Sequence, residues 1–268
     1  MNNLRAPLGY ALIGGAAVLT ISFFNSGFMT NRPLSSYLLP LFVGLLSGAI
    51  AGTLVMHLKH KQQERDGLFI GIIEALAITL EERDHYTHGH SQRVTSLAMR
   101  LGKRAGLDTE RYEHLHLASV LHDIGKIGIP DKVLLKPGRL TREEFDVIKT
   151  HPGKAARILK LLNDPRMDEV IAAVRHHHER YDGSGYPAGL KGDEIPHLSR
   201  IITITDSYDA MTSNRPYRDD ISPETALKEI EQGSGSQFDP QLASEFIGMM
   251  HESEISNELH EAMTQTVS

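Results

Sequence analysis

The sequence contains no cysteine and no tryptophan among its 268 residues. Without thiols the chain can form no disulfide, and any metal ion must be held by histidine and carboxylate side chains. An excess of basic residues is also lacking, since the formal net charge is −6. Binding a DNA or RNA polymer through its phosphates requires a basic face, so the composition argues against such a partner.

Histidine, by contrast, is abundant, with 15 residues that cluster in the middle of the chain. A two-metal hydrolytic site needs neutral imidazoles as terminal ligands and a carboxylate that can bridge the ions, and the helices of a bundle can bring such groups to one point. A lone helical histidine is more often a core or surface residue, so the prediction depends on the whole set. The candidate metal ligands are His90, His122, Asp123, His151, His177, His178 and Asp206.

Two uncharged apolar stretches, residues 8–24 and 37–56, open the chain. The second has the roughly 20 residues that span a bilayer core, and the first is near the short limit. A cleaved signal peptide fits the first stretch poorly, because only Arg5 precedes it and no A-x-A site follows it. We therefore predict a two-helix membrane anchor over residues 1–57, with a soluble hydrophobic hairpin as the alternative.

The positive charges beside these stretches predict an orientation. Lys59, Lys61 and Arg65 follow the second stretch, whereas the connecting loop carries only Arg32. The positive-inside rule then places both chain ends in the cytoplasm. Small residues on one helix face favour close packing, which here could join two copies in a homodimer or hold the second stretch against the first. The residues on this face are Gly44, Gly48 and Gly52.

Downstream of the anchor, apolar residues recur at three- and four-residue spacing, which is typical of helices. We predict a linker helix over residues 58–82, a domain over residues 66–252 and a polar tail over residues 253–268. Alternating strand patterns are scarce, so the predicted fold is all-α: a helical bundle preceded by two transmembrane helices. Helix starts are predicted at Asp108, at the capping-box pair Thr141 and Glu144, at Ser222-Pro223 and at Asp239-Pro240.

Five ordered strings carry a resemblance to a known family: YTHGHSQRV, LHDIGKIGIPD, HPGKAARIL, HHERYDGSGYP and DSYDAMTSNRPYR. Over residues 66–252 the chain resembles the HD-GYP family, a subgroup of the HD-domain metal-dependent phosphohydrolases. The resemblance implies an all-α HD core that hydrolyses cyclic di-GMP to linear pGpG or onward to GMP. Together with the apolar stretches, it predicts a two-pass protein of the bacterial inner (cytoplasmic) membrane with its catalytic domain in the cytoplasm.

The resemblance further implies a centre of two or three metal ions, usually iron or manganese. The ligands would be His122 and Asp123, with Asp123 as the bridge, His151, His177 and His178 on one ion, and Asp206 on the other with His90 near it. Members with a third metal carry a glutamate four residues before the HGHS histidine, where this chain has Tyr86. We therefore expect two divalent ions, iron or manganese, and we place His176 outside the ligand set.

Roles in catalysis and substrate binding also follow from the resemblance. Lys126 would contact the scissile phosphate and the bridging hydroxide, and Asp209 would orient that hydroxide. Arg215 and Arg218 would bind the phosphates of the cyclic dinucleotide. The loop Gly185-Tyr186-Pro187 would form the pocket wall and could dock diguanylate cyclase (GGDEF) domains.

Other functions remain open at the level of sequence. The domain could be a binding module that senses the nucleotide, or docks a diguanylate cyclase, with weak turnover or none. Another HD phosphohydrolase, such as a nucleotidase, and a di-iron oxygenase are further alternatives. The sequence does not choose between iron and manganese, cyclic di-GMP and cyclic GMP-AMP, or pGpG and GMP.

Overall fold

The computed structural model describes residues 38–83, 89–213 and 221–252. The first predicted span, residues 8–24, and the polar tail lie outside these residues. The chain divides into two compact units, Met1–Gly71 and Ile72–Ser268.

Helix α1 covers Leu38–Arg83 and includes residues 38–56 of the second predicted span. Within the described residues, its stretch Leu41–Leu80 is the one helix that is long and apolar enough to cross a bilayer, judged by length and composition alone. Large apolar side chains of its first half are exposed, whereas the predicted glycine face is buried. The exposed residues include Leu46, Ile50 and Leu54, and the buried glycines are Gly44, Gly48 and Gly52.

The second unit is built from helices, and no strand occurs among the residues that the structure describes; an isolated bridge joins Ser234 and Phe238. This confirms the predicted all-α class. After α1 the helices are α2 (His90–Arg104), α3 (Thr109–Leu121), α4 (Asp131–Leu134), α5 (Arg142–Ile148), α6 (His151–Lys160), α7 (Asp168–Arg175), α8 (His197–Thr212), α9 (Pro223–Gln232) and α10 (240–252). Short 3-10 turns cover Ile124–Gly128, Pro165–Met167 and Gly192–Glu194.

The predicted helix starts are confirmed by their side-chain caps. The Asp108 carboxylate accepts a hydrogen bond from the Arg111 N–H, and Thr141 with Glu144 forms the complete capping box. Ser222 accepts from the Thr225 N–H at the start of α9. Each cap satisfies a backbone donor that the first turn of a helix leaves without a partner.

Helix α8 lies at the centre of the core, in contact with α2, α3, α7 and α9. Its apolar run is fully buried, as Leu198, Ile201, Ile202 and Ile204 have no exposed surface. Because this run fixes the rotation of α8, it also fixes where the two aspartates on the last turns of the helix point.

Candidate metal centre

Three of the candidate ligands are oriented by the ends of the helices that precede them. The Nδ1 atom of His122 lies 2.7 Å from the Ser119 carbonyl, that of His151 lies 2.8 Å from the Ile148 carbonyl, and that of His177 lies 2.7 Å from the Val174 carbonyl. The last carbonyls of a helix have no partner within the helix. Each imidazole therefore donates its Nδ1–H to a carbonyl three residues back, which leaves Nε2 as the nitrogen that can bind a metal ion.

Six of the seven candidate ligands form two groups of three, and within each group the ligand atoms lie within 4.8 Å of one another. We call His151, His177 and His178 the three-histidine cluster, and His90, His122 and Asp123 the mixed cluster. The imidazoles of His90, His122, His151 and His177 are buried. Metal ligation requires ligand atoms that converge at this distance, so each cluster has the donor set of a metal site.

Asp123 belongs to the mixed cluster and also reaches the three-histidine cluster. Its Oδ1 atom is 3.3 Å from His151 Nε2, and its Oδ2 atom is 3.6 Å from His122 Nε2 and 3.8 Å from His90 Nε2. One oxygen thus faces each cluster. This is the placement that a carboxylate needs to bridge two metal ions.

Asp206 reaches the mixed cluster from α8, and its Oδ1 atom lies 3.4 Å from His90 Nε2. Burial opposes ionisation of both carboxylates, but nearby positive groups outweigh it. The positive charge of Lys126 is the largest of the effects that hold the pKa of Asp123 well below its usual range. The hydrogen bond from His90 lowers the pKa of Asp206. Both aspartates are therefore anionic at neutral pH, as metal ligands must be.

The histidines of the three-histidine cluster are neutral at pH 7, because burial lowers their pKa values. The pKa of His151 falls to about 4, and those of His177 and His178 also fall. The Nε2 atoms of His151 and His177 are buried and make no hydrogen bond within the described part of the chain. A buried polar atom without a partner is costly, and a metal ion at this point would satisfy both. The residues present therefore fit a metal ion.

His90 differs from the other imidazoles in its partner. Its Nδ1 atom lies 2.7 Å from Asp209 Oδ2, and its Nε2 atom is 3.3 Å from His122 Nε2. Burial alone lowers the pKa of His90, but hydrogen bonds to Asp206 and Asp209 outweigh it and raise the pKa to about 9. In the metal-free protein this imidazole is therefore protonated on both nitrogens at neutral pH. A metal ion binding at Nε2 would displace the proton from that atom.

Lys126 brings a positive charge to the centre from the 3-10 turn that follows α3, with Nζ 2.7 Å from Asp123 Oδ2. This turn packs against α6. A Cβ atom on Gly125 would lie only 1.9 Å from the His151 carbonyl oxygen, so a side chain here would push the two segments apart. Glycine between the Asp123 and Lys126 positions therefore allows the two clusters to meet.

The predicted Gly-Tyr-Pro loop lies beside the three-histidine cluster. The Tyr186 ring packs on His178 with 4.9 Å between ring centroids, and the Tyr186 N–H donates to the His178 carbonyl. A Cβ atom on Gly185 would lie 2.3 Å from the Arg180 backbone nitrogen, so the loop can turn back this closely only at glycine. Pro187 follows a cis peptide bond and is exposed.

Glu179 is a residue of the site that the sequence analysis did not single out. Its carboxylate is 1% exposed and accepts hydrogen bonds from the backbone N–H groups of Ala188, Gly189 and Leu190 at 2.7, 3.0 and 3.2 Å. It also lies 3.2 Å from His176 Nδ1. The loop is thereby attached to the residue next to His178. The sequence signal that could have identified Glu179 is its position directly after the run of three histidines.

The structure thus brings together the seven predicted ligands, and ion binding by them stays a prediction. Lys126 and the Gly-Tyr-Pro loop border the same centre. His176, predicted to be outside the ligand set, contacts Glu179 and belongs to neither cluster. Arg215 and Arg218 lie outside the described residues. The predicted role of Asp209 in orienting a hydroxide is untested, and both of its oxygens are engaged by His90 and Arg93.

Comparison with known proteins agrees with this arrangement. A cyclic di-GMP phosphodiesterase of Thermotoga maritima is 42% identical over 189 residues, which cover 70% of this chain and 51% of that protein. A cyclic di-GMP phosphodiesterase response regulator of Xanthomonas campestris is 38% identical over 180 residues, which cover 67% of this chain and 46% of that protein. The chain therefore spans about half the length of these curated relatives.

Among solved structures, a cyclic GMP-AMP-specific phosphodiesterase of V. cholerae superposes with a TM-score of 0.53 at 21% identity, covering 67% of this chain and 48% of that one. At this identity the likeness shows a shared fold. The model of the HD domain family matches residues 74–242, which is more than half of the sequence. Its match spans every residue of both clusters, and the chain belongs to the HD domain family.

Proposed function

We propose that this protein is a metal-dependent phosphodiesterase of the HD-GYP type, which hydrolyses cyclic di-GMP to pGpG, GMP or both. The observation that carries the proposal is the position of Asp123, one oxygen of which faces each cluster. The relatives from T. maritima and X. campestris, which are named cyclic di-GMP phosphodiesterases, support the substrate class.

Two divalent ions, iron or manganese, would bind at the clusters. The three-histidine cluster would hold one ion, and the mixed cluster together with Asp206 would hold the other. When bound, a pair of such ions activates water and neutralises charge on the phosphodiester. Imidazole and carboxylate ligands suit both metals, so the choice between them is a matter for measurement.

The chain's own groups would bind and orient the substrate. Lys126 provides a positive charge where the negative charge on the phosphodiester grows during reaction. Burial and the negative charges of Asp206 and Asp123 raise the pKa of Tyr186, so its hydroxyl keeps its proton at neutral pH and can donate to a substrate oxygen. Arg215 and Arg218 remain the proposed phosphate ligands, and Asp209 the proposed group for orienting the hydroxide.

The test is a hydrolysis assay on the full-length chain loaded without oxygen with Mn(II) or Fe(II). Cyclic di-GMP and 3′3′-cyclic GMP-AMP are supplied separately, and products are separated by chromatography beside a metal count. Product with about two ions per chain supports the proposal. Tight nucleotide binding with full metal and no product would favour the sensor or docking module instead. Neither binding nor product with either nucleotide would reject the cyclic-dinucleotide function.

We further propose that the chain is a two-pass protein of the bacterial inner membrane with its catalytic domain in the cytoplasm. Support comes from the candidate span within Leu41–Leu80 of α1, the uncharged residues 8–24 and the positive charges after residue 56. Recovery of the chain in the soluble fraction after cell lysis would reject this proposal. A homodimer through the glycine face of α1 and docking of GGDEF-domain proteins at the Gly-Tyr-Pro loop are further proposals, to be tested by crosslinking and by co-purification.

A further inference from the structure

We propose that Arg93 is a positioning residue of the metal centre: it holds Asp209, and through Asp209 the ring of His90, so that it sets the metal affinity of the mixed cluster. The inference rests on the proposed function to the extent that the mixed cluster binds a metal ion. It concerns an arginine that is not one of the candidate ligands and that binds Asp209.

The first step is the arrangement around Asp209. Arg93 Nε lies 2.6 Å from Asp209 Oδ1, and Arg93 Nη2 lies 3.1 Å from Asp209 Oδ2, so the guanidinium binds both carboxylate oxygens. The Asp209 side chain is 4% exposed. A two-point arginine–carboxylate contact fixes the plane of the carboxylate, which a single hydrogen bond does not do.

The second step runs from Asp209 to His90. The same Oδ2 atom that binds Arg93 Nη2 lies 2.7 Å from His90 Nδ1. With Nδ1 held there, the opposite edge of the ring directs Nε2 toward His122 and Asp206, at 3.3 and 3.4 Å. A metal-ligating imidazole commonly donates its other N–H to a carboxylate, which fixes the ring and raises its basicity.

The third step compares how the imidazole rings are held. The ring of His90 is held by the side chain of Asp209, which Arg93 in turn binds. His122, His151 and His177 are held by carbonyls three residues earlier in their own chain segments. His90 begins α2, and its partner Asp209 is 119 residues away on α8. Loss of Arg93 removes both contacts of its guanidinium with the Asp209 carboxylate and leaves the contact with His90. The effect should therefore fall on the mixed cluster and spare the three-histidine cluster.

The test is a Mn(II) titration of the full-length chain in detergent, first stripped of metal with a chelator, in which free Mn(II) is followed by electron paramagnetic resonance. Arg93→Ala should weaken one of two classes of Mn(II) sites by on the order of tenfold and leave the other class unchanged. Arg93→Lys should recover part of the affinity, because lysine keeps the charge without the planar fork. The Arg93 side chain is 46% exposed, so its removal leaves no large cavity.

Arg104→Ala is the matched control, because Arg104 lies on the same helix and pairs with the carboxylates of Glu245 and Glu252 away from the centre. It should bind Mn(II) like the unchanged protein. Unaltered affinity in both classes of sites for Arg93→Ala would overturn the proposal. Equal weakening of both classes would overturn it as well, since that result indicates a general loss of structure. A protein that binds Mn(II) at both sites but hydrolyses no cyclic dinucleotide rejects the proposed activity, and the comparison of Arg93→Ala with Arg104→Ala still decides the role of Arg93.

Discussion

The Oδ1 atom of Asp123 lies 3.3 Å from His151 Nε2, so the carboxylate that follows α3 reaches the histidine that begins α6. The other oxygen of Asp123 faces the mixed cluster. One side chain therefore joins two groups of ligands that lie on separate helices.

Replacing Asp123 should disable both turnover and the metal pair. Asp123→Asn keeps the shape of the side chain but leaves one neutral oxygen and an amide that cannot bridge two cations. We expect turnover to fall by at least about 100-fold and bound Mn(II) to decrease. Steady-state kinetics and metal analysis would measure the two effects. Asp146→Asn, at an exposed aspartate paired with Lys149 on the surface, should leave both values unchanged, and near-full activity of Asp123→Asn would contradict the two-metal mechanism.

Replacing Lys126 should separate catalysis from metal binding. Lys126→Met removes the positive charge beside Asp123 while keeping much of the side-chain volume. We expect kcat to fall by about 100- to 1,000-fold, because a preorganised charge at the reacting phosphate is lost, with the metal content retained. Lys149→Met, at the surface partner of Asp146, is the matched control and should keep the kcat of the unchanged protein. Loss of metal with Lys126→Met would show instead that this lysine supports the ligands.

Removing the metal should lower the melting temperature of the protein. The buried Nε2 atoms of His151 and His177 have no hydrogen bond in the described structure, so an ion bound there stabilises the folded state alone. At a free Mn(II) concentration of 100 times Kd, one site contributes about 2.7 kcal/mol. Thermal unfolding with and without Mn(II) would measure this shift. His177→Ala should reduce the shift, whereas His176→Ala should preserve it, because His176 belongs to neither cluster.

Replacing Glu179 should loosen the Gly-Tyr-Pro loop. In Glu179→Gln an amide group replaces one acceptor oxygen beside the N–H groups of residues 188–190, so at least one backbone donor loses its charged partner. We expect a loss of about 1–3 kcal/mol in unfolding free energy, measured by urea denaturation, and faster proteolysis within the loop. Glu194→Gln, at an exposed capping residue of the same segment, should change stability by less than about 0.5 kcal/mol. Equal effects of the two substitutions would remove the special role of Glu179.

Much of the centre could be predicted because its determinants are local in sequence. A histidine at the end of a helix can be oriented by a carbonyl three residues earlier, so His122, His151 and His177 combine a ligand and its support in one short string. The same holds for the capping box at Thr141, which is complete within four residues. In such motifs the residues that set the local geometry lie within a few positions of one another, so the motif can be recognised in the sequence.

The remaining features could not be predicted because they join distant residues. The contact of Arg93 with Asp209 spans 116 residues, and nothing near either residue marks the other as its partner. Glu179 resembles any charged residue of a loop until the chain turns back and places three N–H groups against it.

The sequence also indicates two membrane spans, of which the described residues contain the second.

The carbonyl contacts at the ends of α3, α5 and α7 have a consequence for how the centre forms. Each of these imidazoles is held by a carbonyl of its own segment, so this contact does not depend on a distant helix. Ordering a free side chain costs conformational entropy, and for these three imidazoles the contact that offsets this cost lies within the same segment. His90 is the exception, because its orientation depends on Asp209 of α8, so a change that displaces α8 should disturb His90 more than His122, His151 or His177.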